Sequence, residues 1–168
     1  MTQSKNILEL KQNALKRNLC KDYHDRWDNA KEIKDIIDIV TDANGADFIC
    51  ASAANGWGCS KDYITTLAKG YINGEYISRH KGYTSSLYCG AEGKITARTT
   101  IIIVLYSNVT IEIPEDECVM IYAAESDINI INNGTARVHN YGCRISVSGQ
   151  GRAKEISAST KKNSWINL

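Results

Sequence analysis

Apolar and polar residues alternate through the C-terminal half of this 168-residue chain, and the alternation recurs at nearly constant spacing. The phrase Val109-Thr110-Ile111 returns as Ile128-Asn129-Ile130 and again as Ile145-Ser146-Val147, at steps of 19 and then 17 residues. A second alternation, Val119-Met120-Ile121, recurs 17 residues later as Ala136-Arg137-Val138. Because successive side chains of a strand point to opposite faces, this pattern predicts a series of short strands.

The near-repeat has two interpretations. It is typical of the coils of a β-solenoid, in which equivalent strands stack and form a continuous core. It also fits a run of antiparallel hairpins in a sheet or sandwich. The same strand of each unit recurs after a polar turn, which favours the solenoid. The predicted strands are 83–89, 94–106, 109–113, 117–122, 128–131, 135–141 and 144–148.

The N-terminal part of the chain has a helical period instead. Helices are predicted over 4–19, within 20–29, from Asn29 to the pair Asn44-Gly45, over 46–54 and over 61–69. Asn29 and Ser60 are predicted helix caps, since their side-chain oxygens accept hydrogen bonds from free backbone amides. Asn44-Gly45 is the predicted end of a helix, because glycine readily adopts the left-handed conformation found there.

These elements predict an α+β fold, in which an N-terminal helical cap is followed by a short β-solenoid or, alternatively, by an antiparallel β-sheet or sandwich. The helical region spans 1–82 and ends in a hairpin or plain turn at Asn73-Gly74. The β-solenoid-like body spans 83–168. Short solenoids need covered ends. We expect the helical region to cover one end and the tail from Ser157 to Leu168, with Trp165 and Ile166, to cover the other.

The composition is that of an ordinary globular protein, with 43% apolar and 23% charged residues. A net charge of +1 provides no strong field for nucleic acid, which is not an expected partner. No signal-peptide pattern and no membrane-spanning apolar run occur, so a cytoplasmic location is expected. The six cysteines lack metal-binding spacing and are expected to be reduced thiols.

Two polar clusters resemble catalytic or metal sites, and each has a simpler structural interpretation. His24 with Asp25 and Asp28 has the character of a metal or acid–base cluster, but a solvated helix surface also explains it. Four carboxylates surround the turn at Pro114 and suit glycoside hydrolysis, although a solvated acidic corner is favoured. These carboxylates are Glu112, Glu115, Asp116 and Glu117.

Cys59 is the remaining candidate for catalysis. It lies in a glycine-rich turn before a predicted helix start, a setting that lowers the pKa of a thiol. With His80 or His139 as its base it could act as a nucleophile. Nothing in the sequence brings either histidine close to it. No catalytic residue, metal or cofactor is therefore predicted.

Two groups of basic and aromatic residues are the stronger candidates for binding. Arg137, His139 and Tyr141 alternate along one predicted strand and share a face, where they could hold a nucleotide or an anionic partner. A second group lies at the junction of the helical and β parts, and such junctions are common ligand sites. Its members are Trp57, Tyr71, Tyr76, Arg79, His80, Lys81 and Tyr83.

Short phrases from residue 42 onward carry a resemblance to a group of known proteins. They are Asp42-Ala43-Asn44-Gly45, Gly56-Trp57-Gly58 with Ser60, Ile72-Asn73-Gly74 with Tyr76-Ile77, Gly82-Tyr83-Thr84-Ser85, and Asn108-Val109-Thr110-Ile111. In this order they resemble small uncharacterised proteins from phages and mobile elements of gut Bacteroidota-type bacteria. The resemblance implies a small accessory protein that acts on a host component in the host cytoplasm. It implies no catalytic residues.

The predicted function is that of a non-enzymatic binding or interaction protein, whose partner is a host protein or a small anionic ligand. One alternative is a counter-defence protein that sequesters a small nucleotide. Another is a small hydrolase that uses Cys59 or the acidic turn. A homo-oligomer is expected, because an open β-body leaves edge strands that need covering.

Overall fold

The computed structural model describes residues 2–17, 19–31, 33–62 and 75–157. Its helices are α1 (Thr2–Leu15), α2 (Lys21–Asn29), α3 (Ile33–Val40) and α4 (Ala43–Asn55). Its strands are β1 (Glu75–His80), β2 (Tyr83–Cys89), β3 (Glu92–Thr96), β4 (Ile101–Leu105), β5 (Asn108–Ile113), β6 (Cys118–Ala124), β7 (Asp127–Asn132), β8 (Thr135–Tyr141), β9 (Arg144–Ser148) and β10 (Arg152–Ser157).

The strands form two sheets that the chain visits alternately. The helix-side sheet has the order β1-β2-β4-β6-β8-β10, and the far sheet has the order β3-β5-β7-β9. All neighbouring strands are parallel except β1 and β2, which are antiparallel. The chain therefore winds as a parallel β-solenoid of about four turns over residues 85–156. The solenoid prediction is confirmed, and the antiparallel alternative is wrong.

The near-repeat predicts the register of the far sheet. Val109 pairs with Ile128, and Ile128 pairs with Ile145, across β5, β7 and β9. In the helix-side sheet Val119 pairs with Ala136 in the same way. These side chains belong to one core between the two sheets. Stacking of equivalent apolar residues from coil to coil stabilises the solenoid.

The aliphatic run Ile101–Leu105, which forms β4, is buried on both of its faces. Ile102 and Val104 point into the core between the sheets, whereas the other three residues belong to a second core beneath the helices. A strand that is covered on both faces has a continuous apolar sequence instead of an alternating one. The described residues thus form three layers: helices, helix-side sheet and far sheet.

The helices pack on the face of the helix-side sheet. α4 contacts β4, β6 and β8 in the middle of this sheet. Trp27 of α2 and Phe48 of α4 are almost fully buried in the second core, with their ring centroids 5.4 Å apart in an edge-to-face arrangement. The predicted helical cap on a β-solenoid is confirmed. The described helices cover the apolar part of the outward face of the helix-side sheet, whereas the sequence analysis expected them to cover an end of the solenoid.

The connection between α3 and α4 lies earlier than predicted. α3 ends at Val40, and the backbone N–H of Asn44 donates to the Asp42 carboxylate at 3.1 Å, so Asp42 caps α4. Asn44 and Gly45 lie in the first turn of α4, and the prediction that they end a helix is wrong. Gly45 is needed for close packing, because a Cβ at this position would lie 1.9 Å from the carbonyl oxygen of Ile39.

Each coil turns from the helix-side sheet to the far sheet at a residue with left-handed backbone. Two of these residues are not glycine, although a residue with a Cβ costs about 1–2 kcal/mol in this conformation. The turn is supported by hydrogen bonds between coils, since the N–H of Ser107 donates to the hydroxyl of Ser126 at 3.0 Å. The four turn residues are Gly90 (φ 63°), Tyr106 (φ 52°), Glu125 (φ 50°) and Gly142 (φ 82°).

Substitutions at these turns should have opposite effects. Gly142→Ala is expected to lower the free energy of unfolding by about 1 kcal/mol, because alanine is strained at positive φ. Glu125→Gly is expected to raise it by about 0.5–1 kcal/mol, because relief of strain exceeds the entropy cost of an exposed glycine. Urea denaturation measures both changes. If both substitutions changed the free energy of unfolding in the same direction, the left-handed backbone at these two turn residues would be contradicted.

Two elements at the borders of the β-body differ from the predicted ones. β1 and β2 form a hairpin with the two-residue turn Lys81-Gly82, in which Gly82 has a φ of 89°. The turn predicted at Asn73-Gly74 and most of the helix predicted at 61–69 lie outside the described residues. β10 was not among the predicted strands, and it extends the helix-side sheet beyond β8.

The two ends of the solenoid are covered to different degrees. In the first coil the inward-facing Tyr88 and Ile95 are each only 8% exposed. In the last coil Val147, which pairs with the buried Ile130, is 46% exposed, and Ala153 of β10 is exposed as well. The tail predicted to cover this end lies outside the described residues, apart from Ser157 at the end of β10. Within the described structure, β9 and β10 are therefore edge strands beside an open core.

Candidate binding surface

β8 carries the first predicted binding group, and its members differ in exposure. Arg137, His139 and Tyr141 share the outward face of the helix-side sheet, as the alternation predicts. Arg137 is exposed, whereas His139 is 7% exposed and Tyr141 is 4% exposed. α4 contacts β8 and contributes to this burial. Of this group, only Arg137 is accessible to a ligand.

The two buried members of the group have structural contacts. The Tyr141 hydroxyl donates a hydrogen bond to the Asp47 carboxylate of α4, and burial raises the pKa of Tyr141. His139 stacks on Tyr122 with ring centroids 4.4 Å apart and an interplanar angle of 15°. Burial raises the pKa of Tyr122 to about 12. Both tyrosines are therefore neutral at physiological pH, and the hydrogen bond of Tyr141 connects α4 to the sheet.

The second predicted group, at the junction, is only partly within the described residues. Trp57 is half-buried, and the Arg17 guanidinium lies 3.8 Å from the centroid of its ring. The Tyr83 hydroxyl accepts a hydrogen bond from the Ala43 N–H at 3.2 Å at the start of α4. Lys81 is exposed in the β-hairpin turn. The members whose side chains lie outside the described residues are Tyr71, Tyr76, Arg79 and His80.

Arg137 lies beside two further cations that the sequence pattern did not single out. In the parallel register of β8 and β10, Lys154 pairs with Arg137 and Arg152 pairs with Thr135. Because these positions alternate, all three cations point to the outward face of the sheet. We call the exposed residues Arg137, Arg152 and Lys154 the basic strip. Arg137 and Lys154 lie side by side, since neighbouring strands are about 4.8 Å apart.

The basic strip borders a groove of about 390 Å³. The groove crosses the first residues of β6, β8 and β10, where the outward side chains of the helix-side sheet are exposed. The half-buried Met120 contributes an apolar surface, and Thr100, Cys118 and Thr135 contribute polar groups. An apolar surface with a few convergent polar and charged groups is typical of a ligand site.

The charges of the basic strip are not compensated within the described structure. None of its three cations forms an ion pair with a described carboxylate. The neighbouring Glu155 alternates with Lys154 and therefore faces the other side of β10. In the far sheet, by contrast, Arg144 binds Asp127 at 2.6 Å, and Lys94 Nζ lies 2.5 Å from a carboxylate oxygen of Glu112. In the far sheet, the charges of Arg144 and Lys94 are thus neutralised by carboxylates on neighbouring strands.

A sequence signal for Arg152 and Lys154 exists, although it is weak. A step of 17 residues leads from Ala136 to Ala153 and from Arg137 to Lys154, and the structure pairs these residues. However, most of β10 is exposed, so it lacks the buried apolar positions that mark a strand in a sequence. The basic strip could have been found only by continuing the coil period past the last apolar alternation.

Cys59 lies in the core, whereas His24 and the carboxylates considered for catalysis lie on or near the surface. Cys59 is fully buried, and burial raises the pKa of its thiol, whereas a nucleophilic thiol needs access and a lowered pKa. The nearest nitrogen and oxygen of His24 and Asp25 are 4.0 Å apart on an exposed surface. Glu115 and Asp116 are exposed in the turn after β5. The exposure of His24, Asp25, Glu115 and Asp116 is that of a solvated surface.

Comparisons with protein-family models, with curated proteins and with solved structures find no match to this chain. Within the described residues, no helix combines the length and the apolar character needed to cross a membrane. The same part of the chain contains no cluster of three or more histidine, cysteine or carboxylate side chains suited to a metal ion. The basic strip and its groove are the surface from which function is inferred.

Proposed function

We propose that this chain is a non-enzymatic binding protein that holds an anionic partner on the basic strip. The observation that carries the proposal is the cluster of exposed Arg137, Arg152 and Lys154 beside a groove, without an ion-paired carboxylate among the described residues. Like charges on directly opposed positions of neighbouring strands destabilise a sheet. A bound anion removes this repulsion, so the strip is better suited to an anionic partner than to solvent alone.

The residue types of the strip suit carboxylate or phosphate groups. An arginine guanidinium binds either group through two parallel hydrogen bonds, and a lysine ammonium adds a compact charge with three donors. Thr100 and Thr135 line the same groove, and a threonine hydroxyl can donate a further hydrogen bond. This donor set supports recognition of an anion by charge and geometry together.

The proposed partner is a host protein that presents acidic groups. The resemblance to phage and mobile-element proteins, which stays a prediction, is the reason for proposing a host component. The position of the basic strip at an open sheet edge supports a macromolecular partner, because the surface is accessible from solvent. The homo-oligomer expected from the open edges also stays a prediction.

A second candidate function is the sequestration of a small nucleotide. The observation that favours it is the groove volume of about 390 Å³, which lies within the range of about 300–1,000 Å³ found for small-molecule sites. Arg137, Arg152 and Lys154 would then bind the phosphates. The apolar surface of Met120 would contact another part of the ligand.

Charge reversal of the basic strip tests both candidates. The triple variant Arg137→Glu, Arg152→Glu and Lys154→Glu is expected to bind labelled poly-L-glutamate at least about tenfold more weakly than the wild type, because attraction becomes repulsion. Fluorescence anisotropy at low salt measures the affinity, with ATP as a second probe. Wild-type affinity should fall as salt rises, since these exposed charges are screened.

A matched control separates local from overall charge. Lys16, Lys31 and Lys61 are exposed in the helical region, and their replacement by glutamate changes the net charge by the same amount. This control variant should keep the wild-type affinity. Equal losses in the two triple variants would contradict the proposal, because net charge alone would then explain binding. Strip-dependent binding of ATP without binding of poly-L-glutamate would favour the second candidate.

A further inference from the structure

β10 has one paired edge and one open edge within the described structure. It pairs with β8 from Arg152 to Ser157, and the N–H of Arg152 donates to the carbonyl of Gly134 at 2.9 Å on the β8 side. Backbone groups of successive residues in a strand point to opposite sides. The N–H and C=O groups of Ala153 and Glu155 therefore point away from β8, and such groups on an edge strand can pair with another strand.

We propose that this open edge accepts an extended acidic segment of another protein as an additional strand. The inference rests on the proposed function and names the class of partner that the basic strip binds. In strand addition, backbone hydrogen bonds along the edge provide affinity, and side chains on alternate faces provide specificity. Both kinds of contact are available at β10.

The side chains of β10 determine which strand fits. Outward positions of an added strand would lie beside Arg152 and Lys154, so acidic residues are favoured there. Inward positions would lie beside the exposed Ala153, at the end of the core where Val147 is 46% exposed. The next inward residue of β10 is Glu155, whose carboxylate accepts a hydrogen bond from the Asn140 side chain at 2.7 Å. Apolar residues at these positions would cover apolar surface and gain free energy from its burial. The favoured segment thus alternates acidic and apolar residues.

The opposite edge of the same sheet already carries an added strand. β1 does not belong to a coil, and it pairs antiparallel with β2 from Glu75 to His80. The helix-side sheet therefore accommodates a strand that does not follow the winding of the solenoid. A partner strand on β10 would extend this sheet in the same manner at its other edge.

A second copy of the chain fits this edge less well, because β10 opposes like charges when it pairs with itself. In an antiparallel pair of two β10 strands, outward residues face outward residues. A pair centred on Lys154 opposes two lysines, and a pair centred on Glu155 opposes two glutamates. Like charges in these positions are destabilising. An acidic strand from another protein avoids the lysine repulsion and adds attraction.

The test compares two labelled peptides about as long as β10, both built of alternating aspartate and valine. Every backbone amide of the second peptide is N-methylated, which keeps the charges and removes the hydrogen-bond donors. Fluorescence anisotropy with the full chain should show at least about tenfold tighter binding of the first peptide. Equal binding of both peptides would overturn strand addition and leave the proposed function intact.

Ala153→Pro is the matched change in the protein. Proline removes the N–H of residue 153, which points away from β8, and edge strands tolerate proline at such positions. Affinity for the unmodified peptide should fall about tenfold, which corresponds to about 1.4 kcal/mol. Affinity for poly-L-glutamate, which depends on the basic strip, should not change. Parallel losses for both probes would contradict strand addition, and the melting temperature shows whether the variant folds.

The remaining outcomes distinguish the inference from the proposed function. Binding of poly-L-glutamate without binding of either peptide would overturn strand addition alone. Failure of every anionic probe to bind would overturn both. Size-exclusion chromatography with light scattering identifies a second copy as the occupant: a dimer that binds neither peptide, and that Ala153→Pro converts to a monomer, would overturn the inference.

Discussion

Replacing Ile130 by alanine is expected to lower the free energy of unfolding by about 2–5 kcal/mol, the range for removing a large aliphatic side chain from a core. Ile130 is fully buried between the two sheets and pairs with Ile111 on one side and Val147 on the other. A cavity at this position interrupts a stack of apolar residues that runs through the four strands of the far sheet, from Ile95 to Val147. Urea denaturation of the wild type and the variant measures the change.

Ile131→Ala is the matched control, because it removes the same atoms from the next residue. Ile131 points to the outer face of the far sheet and is only half-buried, so its loss should cost less than about 1 kcal/mol. A register shift of one residue would exchange the two side chains between core and surface. Equal effects of the two substitutions would therefore contradict the register of β7.

The register of the solenoid could be predicted from the sequence because its core alternates. Val109, Ile128 and Ile145 recur at equivalent positions. When only one face of a strand is buried, only one of the two possible orientations places the alternating apolar side chains in the core. β4 provides the opposite case, since both of its faces are buried and Ile101–Leu105 has no alternation. Such a run predicts a buried strand but does not tell which residues face which core.

The position of the helices was the main part of the fold that the sequence did not predict. Helical periodicity identifies an apolar face on each helix but not the surface that this face covers. That surface is the outward face of the helix-side sheet, to which Ile103, Tyr122 and Tyr141 contribute. Because the helices occupy this face, they also bury His139, which the alternation alone placed on an accessible surface.

Of the three cations in the candidate site, the sequence predicted only one. Alternation along β8 indicated that Arg137 points outward, and the structure places it in the groove. Arg152 and Lys154 come from β10, whose sequence has a charged residue at three of its first four positions and little apolar signal. Their proximity to Arg137 depends on parallel pairing of β8 with β10, a long-range contact that local sequence patterns do not report.

Replacing Gly45 by alanine is expected to lower the free energy of unfolding by about 3 kcal/mol or more, which is at the upper end of overpacking costs. A Cβ at residue 45 would lie 1.9 Å from the carbonyl oxygen of Ile39, and a backbone atom cannot move away without shifting α3 against α4. Helix propensity alone predicts the opposite sign, because alanine is favoured over glycine by about 1 kcal/mol in a helix. The steric term is larger, so a loss of stability is expected.

Asn44→Ala is the control for this prediction, since Asn44 precedes Gly45 in the same helical turn and is exposed. Its substitution should change the free energy of unfolding by no more than about 0.5 kcal/mol, as for other surface positions. Thermal or urea denaturation followed by circular dichroism measures both variants. A stabilised Gly45→Ala variant would show that helix propensity dominates and that α3 and α4 are not in close contact there. A destabilised one, beside an unchanged Asn44→Ala, would show that Gly45 serves the packing of α3 against α4.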